Sequence, residues 1–162
     1  MTATSHALIG ASLASIIINP VIGIPTAIAS HFIADLIPHW DAGTNHRSKS
    51  SLRLKAEAVF DVLLGFALVI ILFRIQTFQN PIYMFSMVIS AQLPDWLAAP
   101  DYMFNLKIPP FSWMEKIGHE TQTRMQLPWG LVTQILVVGS LVLAAANISS
   151  VSRSLASLFR LS

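Results

Sequence analysis

Residues 7–30 contain no Asp, Glu, Lys, Arg or His, and this run ends in His31-Phe-Ile-Ala-Asp35-Leu-Ile-Pro-His39-Trp-Asp41. That juxtaposition restricts the possible folds more than any other feature. The apolar run must be covered by protein or lipid. The imidazoles and carboxylates that follow are costly in such surroundings unless something binds them. A cation or a catalytic site accounts for several of them together.

Only 11% of the chain is charged and 54% is hydrophobic, against about 25% charged in ordinary soluble domains. Lipid is therefore expected as part of the solvent. The chain has no cysteine, so a bound metal takes nitrogen and oxygen ligands. Basic residues are scattered, with no block that could track a nucleic-acid backbone. No Lys or Arg precedes the first apolar run, which does not read as a cleaved secretory signal.

Proline and polar punctuation divides the chain into an all-α, membrane-embedded bundle of about five helices. The first helix is expected from Ser5 to Ile18, where Asn19-Pro20 breaks it. Pro25 is well placed to begin the second, which stops at Pro38. A single span over residues 7–37 would reach about 46 Å, beyond a hydrocarbon core of about 30 Å. A short hairpin follows instead. Ser50 or Ser51 caps a third helix running to Ile75, and Asn80-Pro81 starts a fourth that ends near Leu93-Pro94. Residues 95–124, rich in Trp, Tyr, Phe and Pro, suit an interfacial connection. A fifth helix covers Met125 to Ala146. The third and fifth are the two longer spans. Residues 1–148 form the bundle, and residues 149–162 a basic amphipathic tail with Val151, Leu155, Leu158 and Phe159 on one face.

If the helices alternate up and down, the scattered polar groups meet at one end. His6 starts the first helix, and His31, Asp35 and His39 end the second. Asp61 lies early in the third, Asp95 follows the fourth, and His119 precedes the fifth. Facing helices of bundles build metal sites in this way. His31 and Asp35, like Asp35 and His39, are four residues apart and share a helical face. His31 and His39 are separated by about 12 Å of helix rise, so one ion holds both only if the chain bends, as Pro38 permits. The expected metal ligands are His6, His31, Asp35, His39, Asp61 and His119. Asp41 and Asp95 are the candidate catalytic carboxylates. Glu57 reads as a solvated or lysine-paired group. Segments 34–40 and 90–96 echo one another, each with Leu or Ile before Pro, then a ligand type, then Trp.

Thr4-Ser5-His6-Ala-Leu-Ile-Gly10, then His31-x3-Asp35-x2-Pro38-His39-x-Asp41 and Leu93-Pro94-Asp95, resemble the small bacterial integral-membrane proteins described as membrane-bound metal-dependent hydrolases. Those in turn resemble zinc-dependent phospholipase C in outline. Pro38-His39-Trp40-Asp41 has His and Asp in exchanged order relative to that family. Gly118-His119-Glu120-Thr121 lacks the family's second His and its Ser. The resemblance implies a divalent metal (zinc first, with manganese or iron as alternatives), membrane lipid as partner, a phospholipid or phosphoester substrate, and the bacterial inner membrane. Basic residues gather on the site side, which predicts that the site faces the cytoplasm. A non-catalytic membrane scaffold or metal-binding protein is the alternative. A small transporter fits less well, because the polar groups lie at one end only.

Overall fold

In a computed structural model the protein is all-helical. The structure describes residues 1–45 and 48–159, for 152–159 the backbone alone; these contain seven helices and no strand. They are α1 (Ala3–Ile16), α2 (Pro20–Asp35), α3 (Ser51–Leu72), α4 (Arg74–Gln79), α5 (Pro81–Phe104), α6 (Phe111–Thr121) and α7 (Trp129–Phe159).

Local chemistry sets several boundaries, of which the Ser50 cap was expected. Thr2 caps α1 by accepting from Ser5 N, and Ser50 caps α3 by accepting from Arg53 N. Asn19 caps α2, with Pro20 in its first turn, where the missing amide donor costs nothing. Other prolines behave differently. Pro25 lies inside α2, and Pro94 and Pro100 lie inside α5. The second helix therefore starts five residues earlier than its proline suggests. The fourth expected helix runs on to Phe104. Phe73 interrupts the third, leaving α4 as a separate turn. The region read as an interfacial connection contains the end of α5 and all of α6. The tail from residue 149 continues α7 without a break up to Phe159. Its expected amphipathic faces fall on residues 152–162, outside the described side chains.

α1 is the centre of the bundle. It packs against α2, α3, α5 and α7, and residues 5–12 are buried without exception. Its crossing with α5 is close. A Cβ at Gly10 would sit 2.7 Å from the Met87 carbonyl oxygen and 3.1 Å from Val88 Cα, so only glycine lets the backbones approach this far. The core gathers Ala7, Leu8, Ala11, Val69, Phe73, Met84, Val88 and Val138 around it. The outer surfaces are strongly apolar, with Ile18, Val21, Leu63, Ile82 and Leu136 among many exposed aliphatic residues. Of the two longer spans expected, α7 is long and apolar enough over Trp129–Val151 to cross a membrane. The first half of α3 carries Arg53, Lys55, Glu57 and Asp61, which shortens its apolar part.

Candidate metal centre

The N-terminal half of α1, the C-terminal end of α2 and the middle of α5 meet at one end of the bundle. His6 projects from α1, His31 and Asp35 from α2, and Asp95 from α5. His6 and Asp35 are fully buried, and His31 is 1% exposed. The rings of His6 and His31 stack, with centroids 3.9 Å apart. His6 Nε2 lies 3.2 Å from Asp35 Oδ1. His31 Nε2 lies 3.4 Å from Asp35 Oδ2 and 3.5 Å from Asp95 Oδ1.

The chain beyond α2 returns to the same place. The helix ends at Asp35, Pro38 follows, and His39 is drawn back until its Nε2 is 3.9 Å from Asp35 Oδ1 and 4.0 Å from Asp41 Oδ2. The bend resolves the 12 Å separation that a straight helix would impose. Backbone bonds pin it, since His39 N donates to Thr123 O (3.0 Å) and Met125 N donates to His39 O (2.7 Å).

The hydrogen bonds fix which nitrogens are available. His31 Nδ1 donates to the Ala91 carbonyl (2.9 Å), and His39 Nδ1 to the Ile37 carbonyl (2.8 Å). When neutral, each ring turns an unprotonated Nε2 toward the carboxylates, lone pair against lone pair. Such an Nδ1–H to carbonyl bond orients imidazoles that bind metals through Nε2. Burial, and then the nearby Met1 amino group, hold the His39 imidazole below its ordinary pKa and favour the neutral ring. Both nitrogens of His6, Nε2 of His39 and Oδ2 of Asp35 are buried without a hydrogen-bond partner. Orphaned polar atoms of this kind are rare in a folded interior and costly. The amino group of Met1 donates to Asp35 Oδ1 and supplies one partner.

The donor set fits a divalent ion. Ligand atoms of His6, His31 and Asp95 all lie within 4.8 Å of one another. Two ligands on a tetrahedral zinc, each at about 2.1 Å, are about 3.4 Å apart, close to the three separations His6–Asp35, His31–Asp35 and His31–Asp95 of 3.2–3.5 Å.

A cavity of about 450 Å³ opens onto this centre between α3, α5 and α6. Its polar lining comprises His31, Asp41, Asp95 and Arg124 beside the centre, with Asp61, Glu115, His119 and Gln122 also on its walls. The Asp95 side chain is 36% exposed, which makes it the open side of the cluster.

The other expected residues take different positions. Asp61 is a capping group, since its carboxylate accepts from Ala3 N (2.6 Å) and Thr4 N (3.1 Å), occupying two orphan donors of α1. His119 is exposed on α6 and lines the cavity, away from the buried cluster. Asp41 accepts from Thr44 Oγ1 (2.8 Å) and Arg124 Nε (3.1 Å), so both its oxygens are engaged. Glu57 pairs with Lys49 and Arg53.

Two contributors escaped the sequence reading. Gln134, on α7, accepts from Ser5 Oγ (3.0 Å) and Thr2 N (3.1 Å) and donates to the Trp40 carbonyl (2.6 Å). A lone amide in the Leu131–Val138 stretch, apolar but for Thr133, was its only signal. The Ala91 carbonyl that orients His31 carries none. Compared with family models, curated proteins and solved structures, the chain matches none of them.

Proposed function

We propose that the protein is a membrane-embedded metal-dependent hydrolase that acts on a phosphoester or lipid-like substrate at the bilayer surface. The observation that carries this reading is the set of buried, unpartnered His6, His39 and Asp35 atoms facing oriented imidazole nitrogens. A single proton on His31 would leave His6 unpartnered. A divalent cation would give one partner each to His6, His39 and Asp35, through one of the two His6 nitrogens.

His6, His31, Asp35 and Asp95 are the residues that would hold the ion, with His39 closing the buried side. Bound there, a zinc ion supplies a water of lowered pKa and a Lewis acid for the scissile group. The Ala91 and Ile37 carbonyls keep His31 and His39 in the tautomer that leaves Nε2 free. Asp95 meets the cavity, so substrate approaches on its side. Arg124 brings a positive charge to the polar end of that cavity, and Asp41 holds the guanidinium in place. The closed back excludes water from His6 and Asp35. The apolar outer surfaces and α7 support a place in the membrane. The bias of basic residues toward the site end supports a cytoplasmic orientation in a bacterial inner membrane.

One observation favours a second reading, a structural polar cluster without catalysis. The Met1 amino group already pairs with Asp35. Metal analysis of the purified protein, together with turnover of a phosphodiester and phospholipid panel, separates the two. Metal bound in a fixed ratio with zinc-dependent turnover supports the hydrolase. Metal without turnover supports a metal-binding scaffold, and folded protein without metal removes the centre.

A further inference from the structure

The cavity has two chemically different ends. Beyond the polar end its walls are Leu54, Ala58 and Val62 of α3 and Trp96, Ala99 and Met103 of α5. A second cavity of about 210 Å³ adjoins it and shares Ala58, Val62, Trp96 and Met103 as walls. Its remaining lining residues, Val59 and Leu63, are 57% and 63% exposed. The shared walls would let the two cavities join into one apolar passage between α3 and α5 that ends at the aliphatic flank of the bundle.

We infer that this passage is the binding site for the hydrocarbon chain of a phospholipid-like amphiphile, which enters laterally between α3 and α5 with its phosphate at the Asp95–Arg124 end. The inference rests on the proposed metal centre for the position of the head group. The chain site itself follows from the lining. Arg124 complements a phosphate at one end, and side chains with no charge and no hydrogen-bonding group at Ala58, Val62, Leu63 and Met103 complement only hydrocarbon at the other. A water-soluble phosphoester has no use for the apolar half, which a hydrocarbon chain matches. The main cavity alone is within the roughly 300–1,000 Å³ of small-molecule sites. The second cavity opens on the apolar flank beside the exposed Val59 and Leu63, which suits a ligand already dissolved in lipid.

The test is photolabelling of the full-length protein in lipid nanodiscs with a diacyl phospholipid that carries a diazirine at the end of one chain. Labelled peptides are located by mass spectrometry. Inserted label at Met103, Ala99 or Val62 is the expected result, together with unspecific label at Leu136 and Leu143 on the exposed face of α7. Ala58→Trp fills the passage and should remove the inner label while leaving that on α7. Val62→Phe serves the same purpose should the tryptophan variant fail to fold. Label confined to outer faces, or inner label that survives in a folded blocked variant, overturns the inference. His31→Ala separates the two proposals, because it should abolish zinc binding and leave the chain label in place. Wild-type protein that binds zinc but takes no inner label sinks the passage alone. Inner label without zinc sinks the metal centre alone.

Discussion

Segments 34–40 and 90–96 carry nearly the same pattern, yet they form opposite sides of one site. In the first, the helix stops at Asp35, Pro38 lies in the turn, and His39 is fully buried. In the second, the helix runs through Pro94 for another ten residues, and the Asp95 side chain is 36% exposed. Both prolines lack the amide donor. What differs is the partner waiting for the chain. After Pro38, residues 123–125 and α7 supply backbone hydrogen bonds that replace helical ones. After Pro94, the apolar continuation of α5 packs on α6 and keeps the helix. The comparison teaches that a local stop signal is a choice settled by tertiary structure, and that one motif can give a centre both its sealed back and its open front.

The largest expected effect removes the residue common to both sides. His31→Ala should abolish zinc retention after dialysis, a loss beyond the roughly 10–100-fold that orienting partners alone contribute. Retained stoichiometry would mean that back and front do not share an ion. On the sealed side, His6→Phe keeps a flat ring against His31 and deletes two unpartnered buried nitrogens. The metal-free protein should gain about 1–3 kcal/mol in denaturant unfolding while losing metal. A metal-free protein that is instead destabilised would show that those nitrogens have partners. Asp61→Ala leaves the Ala3 and Thr4 amides without acceptors and should cost about 0.5–2 kcal/mol at unchanged metal content. A drop in bound metal there would return Asp61 to the ligand set. On the open side, Asp95→Asn should weaken zinc binding and leave metal-free stability within about 0.5 kcal/mol. Equal stability losses for Asp95→Asn and a buried-side variant would erase the distinction between back and front.

The readable part of the fold was that governed by strong local chemistry. Asn19-Pro20 marks the break after the first helix, and Ser50 announces a helix start whose cap hydrogen bond the structure contains. Pro25 and Pro94 mislead, because packing of the surrounding apolar residues outweighs a cost of about 3 kcal/mol per helical proline. The gathering of His6, His31, Asp35, His39 and Asp95 at one end was readable from helix alternation alone. Asp61 and His119 share that end without facing the cluster, since alternation fixes the level of a residue along the bundle and not its direction around the helix. The Ala91 carbonyl and Gln134 were beyond reach for a related reason. A backbone acceptor has no sequence signature, and one glutamine in an apolar helix gains meaning only from the turn it happens to meet.

Gly130 opens the long helix α7 where the chain returns to the centre. A Cβ there would lie 2.8 Å from Trp40 N and 3.0 Å from the His39 carbonyl carbon. Trp40 N donates to the Gly130 carbonyl (3.2 Å), and Thr133 Oγ1 donates to the Pro38 carbonyl. The first turns of α7 and the loop bearing His39 are therefore coupled rigidly, like a mast stepped into a keel. A tilt of α7 would therefore carry the loop that bears His39 along with it.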